Sequence, residues 1–216
     1  MALNAKRRQK KMAKKATKRK ARFAYKNKTN ESGGILSAAR LIAIAANSPI
    51  HQCFIPKSVV ESGMGNVVIS RKMPDGKIGF SFFLVDSYCL GVKDAFFGVK
   101  PQWEFESRIN EINHRENFER VHPSCARKLI EEAVAYARDL GFNPHRDYRI
   151  AKMIFGDIDP DVCPMSFEFG QDGKPMYVAG PYDTPKKSKI IMDTLRRRCG
   201  EDGFHYLVPF DGEFMD

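Results

Sequence analysis

Between Asn66 and Phe97 the chain carries two runs of β-branched and aromatic residues, broken by Pro74-Asp75-Gly76-Lys77. That break predicts a hairpin turn, with Gly76 free to adopt positive φ. In the second run Ile78, Phe80, Phe82, Leu84 and Asp86 fall on one face of a strand. Gly79, Ser81, Phe83, Val85 and Ser87 fall on the other. Both faces carry large apolar groups, which predicts a central strand covered on two sides rather than a half-solvated edge. The rest of the chain has to supply the cover.

Helical periodicity is clearest over Pro123–Gly141, where Ala126, Leu129, Ile130, Ala133, Val134, Ala137 and Leu140 recur at 3.6-residue spacing. Pro123 suits the first turn and Gly141 the stop. Further helices are expected over Ile35–Ala46, over Pro101–Arg120 with Phe105, Ile109 and Ile112 on one face, and from Asn143-Pro144 to Gly156. Another runs from the Thr184-Pro185 cap to Cys199. Ile50–Ile55 and Phe204–Pro209 read as short strands, and Lys57–Gly65 as a loop or single helical turn. Met165–Phe169 and Met176–Ala179 flank Gln171-Asp172-Gly173-Lys174-Pro175, a second Asp-Gly hairpin signal. Two hairpin-like groups with helices between them predict an α+β fold with a mainly antiparallel sheet covered by helices.

The charge is divided unevenly. The chain has 36 Lys and Arg against 26 Asp and Glu, a net +10, yet residues 1–30 hold 13 of the cations and no acid. What remains is 23 basic against 26 acidic residues, a mildly acidic body behind a cationic arm. Such an arm has too few apolar residues to build a core and is expected to be disordered when free. The sequence therefore divides into a basic arm and hinge over 1–34, ending at Ser32-Gly33-Gly34, and one globular domain over 35–216.

Five cysteines at wide spacing, without a C-x-x-C pair, argue against a disulfide scaffold and for a reducing compartment. The basic start leads into no apolar h-region, and Ala38–Ala46, broken by Arg40, is too short to span a bilayer. A cytoplasmic protein without membrane contact is the expectation.

The arm also carries the strongest functional signal. Lys6, Arg7, Arg8, Lys10, Lys11, Lys14, Lys15, Lys18, Arg19, Lys20 and Arg22 would neutralise phosphates and release counterions. Phe23 and Tyr25 would stack on unpaired bases. Arg196, Arg197 and Arg198 end the last helix, either as a second phosphate surface or as a solvated face at the negative end of the helix dipole. Asp86, Cys89, Lys93 and Asp94, with His122 as a distant base, form the candidate catalytic group, a thiolate activated by Lys93. The competing readings are an Asp86–Lys93 pair at a strand end, a buried apolar Cys89 and a helix-capping His122. Asp157, Asp159, Asp161 and Glu168 match four positions of a calcium loop, but Val162 stands where its glycine is needed. His122 and Cys125 lack a second pair at zinc spacing. Without a Walker loop, G-x-G-x-x-G or H-E-x-x-H, no metal and no cofactor is called for.

The segments Phe83-Leu-Val-Asp-Ser-Tyr-Cys-Leu-Gly-Val-Lys-Asp-Ala-Phe-Phe97 and Phe167-Glu-Phe-Gly-Gln-Asp-Gly-Lys-Pro175 resemble an uncharacterised bacterial family, over roughly Val67 to Val208. The resemblance brings no assigned activity. From the residues themselves the expected function is non-enzymatic association with nucleic acid or ribonucleoprotein, RNA ahead of DNA. An enzyme built around Asp86, Cys89, Lys93 and Asp94, or an adaptor whose body binds a protein, are the alternatives.

Overall fold

The computed structural model describes residues 38–180 and 183–208. The basic arm and its hinge, the first three residues of the helix expected from Ile35, and Pro209 lie outside the described residues. Helix α1, Ala38–Ala46, is closed by Asn47 and Ser48, whose side chains donate back to Ala43 O and Ile44 O, each at 2.8 Å. Strand β1 (Ile50–Pro56) leads through one helical turn, α2 (Lys57–Glu61), into β2 (Met64–Lys72), β3 (Ile78–Asp86) and β4 (Gly91–Lys100). Helix α3, Gln102–Glu116, follows, then β5 (Phe118–Arg120) and the long α4 (Pro123–Asp139). A short α5 (Tyr148–Ala151) runs into a 3-10 turn at Lys152–Phe155, with another at Pro160–Val162. The chain ends in β6 (Met176–Val178), α6 (Pro185–Cys199) and β7 (His205–Leu207).

The first five strands form an antiparallel sheet in the order β4-β3-β2-β1-β5. The expected turn joins β2 to β3, with Gly76 at φ 80° and its amide donating to Met73 O at 2.9 Å. Central strand β3 is covered on both faces, as its composition requires. Phe83 and Val85 join Ile69, Ala126, Leu129, Ile130 and Ala133 beneath α4, together with Ile42 and Ala45 of α1. Ile78, Phe80 and Phe82 join Val68, Phe105 and Ile109 beneath α3. A third apolar cluster gathers Cys89, Leu90, Leu140, Tyr177, Ile191, Leu195 and Phe204 where the β3–β4 turn meets α6.

Several expected boundaries move. Helix α3 stops at Glu116 because Asn117 turns left-handed, at φ 48°, and its carbonyl accepts from Lys57 N at 3.2 Å. Residues 143–147 are not helical, since His145 N donates to Val92 O at 2.9 Å instead of a helical carbonyl. Met165–Phe169 is not a strand. Gln171 and Lys174 do exchange hydrogen bonds at 2.7 and 3.0 Å, but the ladder stops there because the amides of Gly170 and Met176 donate to Ser87 O and Tyr88 O instead, each at 3.0 Å. β6 pairs in parallel with β7 instead, across α6. The second group is thus a β-α-β unit, not a hairpin.

The cysteine reading also needs correction. Cys125, in the first turn of α4, is disulfide-bonded to Cys163, with the two Cα atoms 5.0 Å apart. This pairing removes the argument for a reducing compartment that rested on unpaired thiols. Cys53 and Cys89 are buried and free, and Cys199 is partly exposed. Lys128 Nζ donates to Met165 O at 2.8 Å, holding the irregular segment after Cys163 against α4.

One buried charge organises the inner face. Arg71 of β2, 2% exposed, donates to Ser48 O (2.7 Å), Ile154 O (2.9 Å), Phe155 O (2.6 Å) and Asp157 Oδ1 (2.9 Å). It caps the carbonyl end of the Lys152–Phe155 turn and holds the Ser48 carbonyl just beyond α1. Gly156, at φ 52°, has no room for a side chain there, because a Cβ would meet Ala46 O at 2.3 Å.

Candidate functional site

The candidate catalytic residues do not come together as one group. At the end of β3 the Asp86 carboxylate accepts from the amides of Tyr88 (3.1 Å) and Cys89 (2.9 Å), which bends the chain back into β4. The run from Ile78 to Phe97 is therefore two strands, and Asp86 and Lys93 face each other across their turn, Oδ2 to Nζ 3.8 Å. Their side chains are only 3% and 14% exposed. Burial raises the Asp86 pKa, opposed by the Lys93 ammonium and by the Cys89, Leu90 and Tyr88 amides. The Cys89 thiol points into the third apolar cluster, where burial and the neighbouring Asp86 charge push its pKa far up. A thiolate is disfavoured there, the reverse of what nucleophilic activation by Lys93 requires.

Asp94 leaves the group altogether. It is exposed and lies 3.5 Å from His145 Nδ1. His122 takes the capping role: its Nδ1 accepts from Ser124 N at 3.4 Å at the start of α4.

The fold adds partners that spacing does not reveal. Asp183, just before the Thr184 cap, accepts from Gly180 N (2.8 Å), Tyr177 Oη (3.2 Å) and Lys187 Nζ (2.6 Å). Its burial raises the pKa, but the Lys187 and Gly180 hydrogen bonds outweigh that and hold it low. Tyr177 is fully buried and also bonds Ser188 Oγ at 2.9 Å. A Cβ placed on Gly180 would lie 3.4 Å from Asp183 Oδ2 and 3.8 Å from Lys93 Nζ, so Gly180 sits between the two charges. The β3–β4 turn itself is tied to the chain on either side of the Gln171–Lys174 turn through its backbone, Gly170 N donating to Ser87 O and Met176 N to Tyr88 O, each at 3.0 Å.

Of the basic residues on α6, Lys187 is held by Asp183, and Arg196 by Asp193 (3.1 Å) and Glu201 (3.0 Å). Arg197 bonds Asp193 O and Thr194 Oγ1, each at 3.2 Å, and Arg198 is exposed beside Gly141. Lys6 through Tyr25 lie outside the described residues. The acidic loop is engaged internally: Asp157 pairs with Arg71, and Asp159 caps the Asp161 amide at 3.0 Å. Cys125, in a disulfide, is not available to zinc.

A feature absent from the sequence reading lies on the outer face of the sheet. Between β3–β4 and α3 a cleft of about 670 Å³ has Phe80, Phe82 and Phe96 in its floor and Ile112 in its wall. Phe82 and Phe96 form a cross-strand pair, stacked within 3° of parallel with centroids 5.2 Å apart. Phe82 is buried, but Phe96 is 51% exposed. The rim is doubly charged. Lys100 pairs with Glu104 at 2.5 Å and Arg108 with Glu111 at 2.6 Å. Glu116 accepts from the backbone amide (2.8 Å) and side-chain amide (2.5 Å) of Asn66. Alternation along β4 places Phe96 on this face, but sequence alone does not show that β4 is an edge strand.

Comparison with protein-family models, curated proteins and solved structures returns no match. Among the described residues no helix is long and apolar enough to cross a membrane.

Proposed function

We propose that this protein is a non-enzymatic, nucleic-acid-associated protein, with RNA or ribonucleoprotein favoured over DNA. The basic arm contacts phosphates, and the α+β body supplies specificity. The observation that carries this reading is the split of 13 Lys and Arg against no acid in residues 1–30, beside a mildly acidic remainder. Such an arm supplies affinity by releasing counterions and carries no base code of its own, so discrimination falls to the body. The surroundings of Asp86 argue against the enzyme alternative, because its carboxylate is engaged by the Tyr88 and Cys89 amides and by Lys93, and Cys89 is buried.

The test is a salt titration of binding to a fluorescent oligonucleotide. An arm engaging about 6–10 phosphates should lose roughly 10³–10⁵ in affinity between 50 and 200 mM salt. Deleting residues 1–30 should abolish most of that slope and leave the melting temperature almost unchanged, since the segment holds little apolar area. Salt-independent binding, or an unaltered slope after truncation, would remove the electrostatic explanation. Alanine at Arg196, Arg197 and Arg198 in the same assay measures whether α6 contributes.

A further inference from the structure

We infer that the cleft between the outer sheet face and α3 receives one unpaired nucleobase of a single-stranded nucleic acid, stacked on Phe96. This rests on the nucleic-acid reading above and assigns the body's share of it.

The cleft is large enough for a base, since its 670 Å³ falls within the range of small-molecule sites. Its floor presents a fixed aromatic surface. Phe96 is stacked on Phe82 and buttressed edge-on by Phe80, with centroids 6.2 Å apart at 86°. The ring is therefore held in one orientation, yet half of its surface stays in water. Covering it with a planar apolar face gains stacking and burial with little ordering of the protein.

The rim then separates a base from the other parts of a nucleic acid. Lys100 and Arg108 are each matched by a glutamate, and Arg115 shares the wall with Glu116, so the rim offers as many carboxylates as cations. A phosphate finds no net attraction in such a field. A base edge carries donors and acceptors together, and a rim of carboxylate, guanidinium and amide groups answers both. Asn66 donates its backbone amide and its side-chain Nδ2 to Glu116, which leaves its side-chain oxygen with acceptor capacity for an exocyclic amine. Bases in a duplex are stacked on both sides and cannot offer a face to Phe96. The cleft accordingly selects single strands, and the phosphates fall to the arm.

The experiment uses the full chain and 12-nucleotide fluorescent probes, ribo and deoxyribo, single-stranded and as duplexes of the same sequence. Anisotropy titrations compare the parent, Phe96→Ala, Phe96→Tyr and the chain lacking residues 1–30. Phe96→Ala should weaken single-strand binding by roughly 5- to 150-fold, the range of one base–aromatic stack, and leave duplex binding unchanged. Phe96→Tyr should retain parental affinity. A melting curve for Phe96→Ala, expected to fall by only a few degrees because half of the ring is exposed, separates lost stacking from lost folding. Parental single-strand affinity in Phe96→Ala, with salt-sensitive binding through the arm intact, overturns the cleft assignment and leaves the nucleic-acid reading standing. Failure of the parent to bind any probe overturns both.

Discussion

Arg71 and Asp157 stand 86 residues apart in the chain and meet at 2.9 Å, with one side chain 3% exposed and the other 89%. The asymmetry assigns the work of the pair. Asp157 faces water, and Arg71 lowers its pKa by donating a hydrogen bond. The remaining donors of Arg71 satisfy three carbonyls, two in the Lys152–Phe155 turn and that of Ser48 beyond α1. Arg71→Ala strands those carbonyls and should cost on the order of 3–5 kcal/mol in denaturant unfolding. Asp157→Asn should leave the unfolding midpoint nearly where it was, because solvent screens the exposed Asp157 charge and the three carbonyls still hold Arg71. Comparable losses from the two variants would show that the ion pair, and not the carbonyl caps, holds this corner.

Asp86 supplies a pH signature. Burial raises its folded-state pKa, so the carboxylate burdens the native state fully at pH values above that raised pKa. The burden lifts as pH falls through the raised value, and is gone below the unfolded value of about 3.9. Stability measured against Asp86→Asn should therefore shift in favour of the parent between pH 7.5 and 4.5. A difference that stays flat over this interval would mean that Lys93 fully offsets the buried charge.

The thiols should rank by access. Alkylation of the native protein at pH 8, followed by peptide mass spectrometry, should label Cys199 first. Cys53, whose thiol burial lifts to about 12, and Cys89 should lag far behind. Rapid labelling of Cys89 at pH 6–7 would restore it as a nucleophile and promote the enzyme alternative.

The disulfide should contribute measurable stability. It closes a loop with a sequence separation of 38, and replacing Cys125 and Cys163 together by Ser should cost about 2–4 kcal/mol. Unchanged unfolding midpoints with and without reductant would show that the bond adds nothing to the fold.

How far the sequence reveals this arrangement depends on the range of each interaction. The Pro74–Lys77 turn, the two-faced β3 and the amphipathic α4 are written in neighbouring residues, and the structure bears them out. The parallel pairing of β6 with β7 is not, because an Asp172-Gly173 turn looks the same whether or not the Met176 amide is drawn away to Tyr88 O. Asp86 and Lys93 are legible as a pair at a strand end. Asp183 carries no comparable signal, although its partners Tyr177, Gly180 and Lys187 all lie within six residues of it. Cys125 and Cys163 lack any local spacing signal. Phe96 reads as one more core aromatic until strand order exposes it at the sheet edge.

The parallel contact also sets an order of events in time. Five residues, 73–77, separate β2 from β3, so that hairpin can close soon after collapse. Between Val178 and His205 lie 26 residues, most of them in α6, and β6 has no strand partner until that helix has formed and docked. Native-state hydrogen exchange should accordingly find the amides of β6 and β7 opening first, while those of β2 and β3 exchange only with global unfolding. Asp183 belongs to the late unit and Lys93 to the early one. The Met176 N to Tyr88 O bond, at 3.0 Å, joins the two units, and a late unit should leave the buried charges on the β3–β4 turn in contact with solvent until it docks.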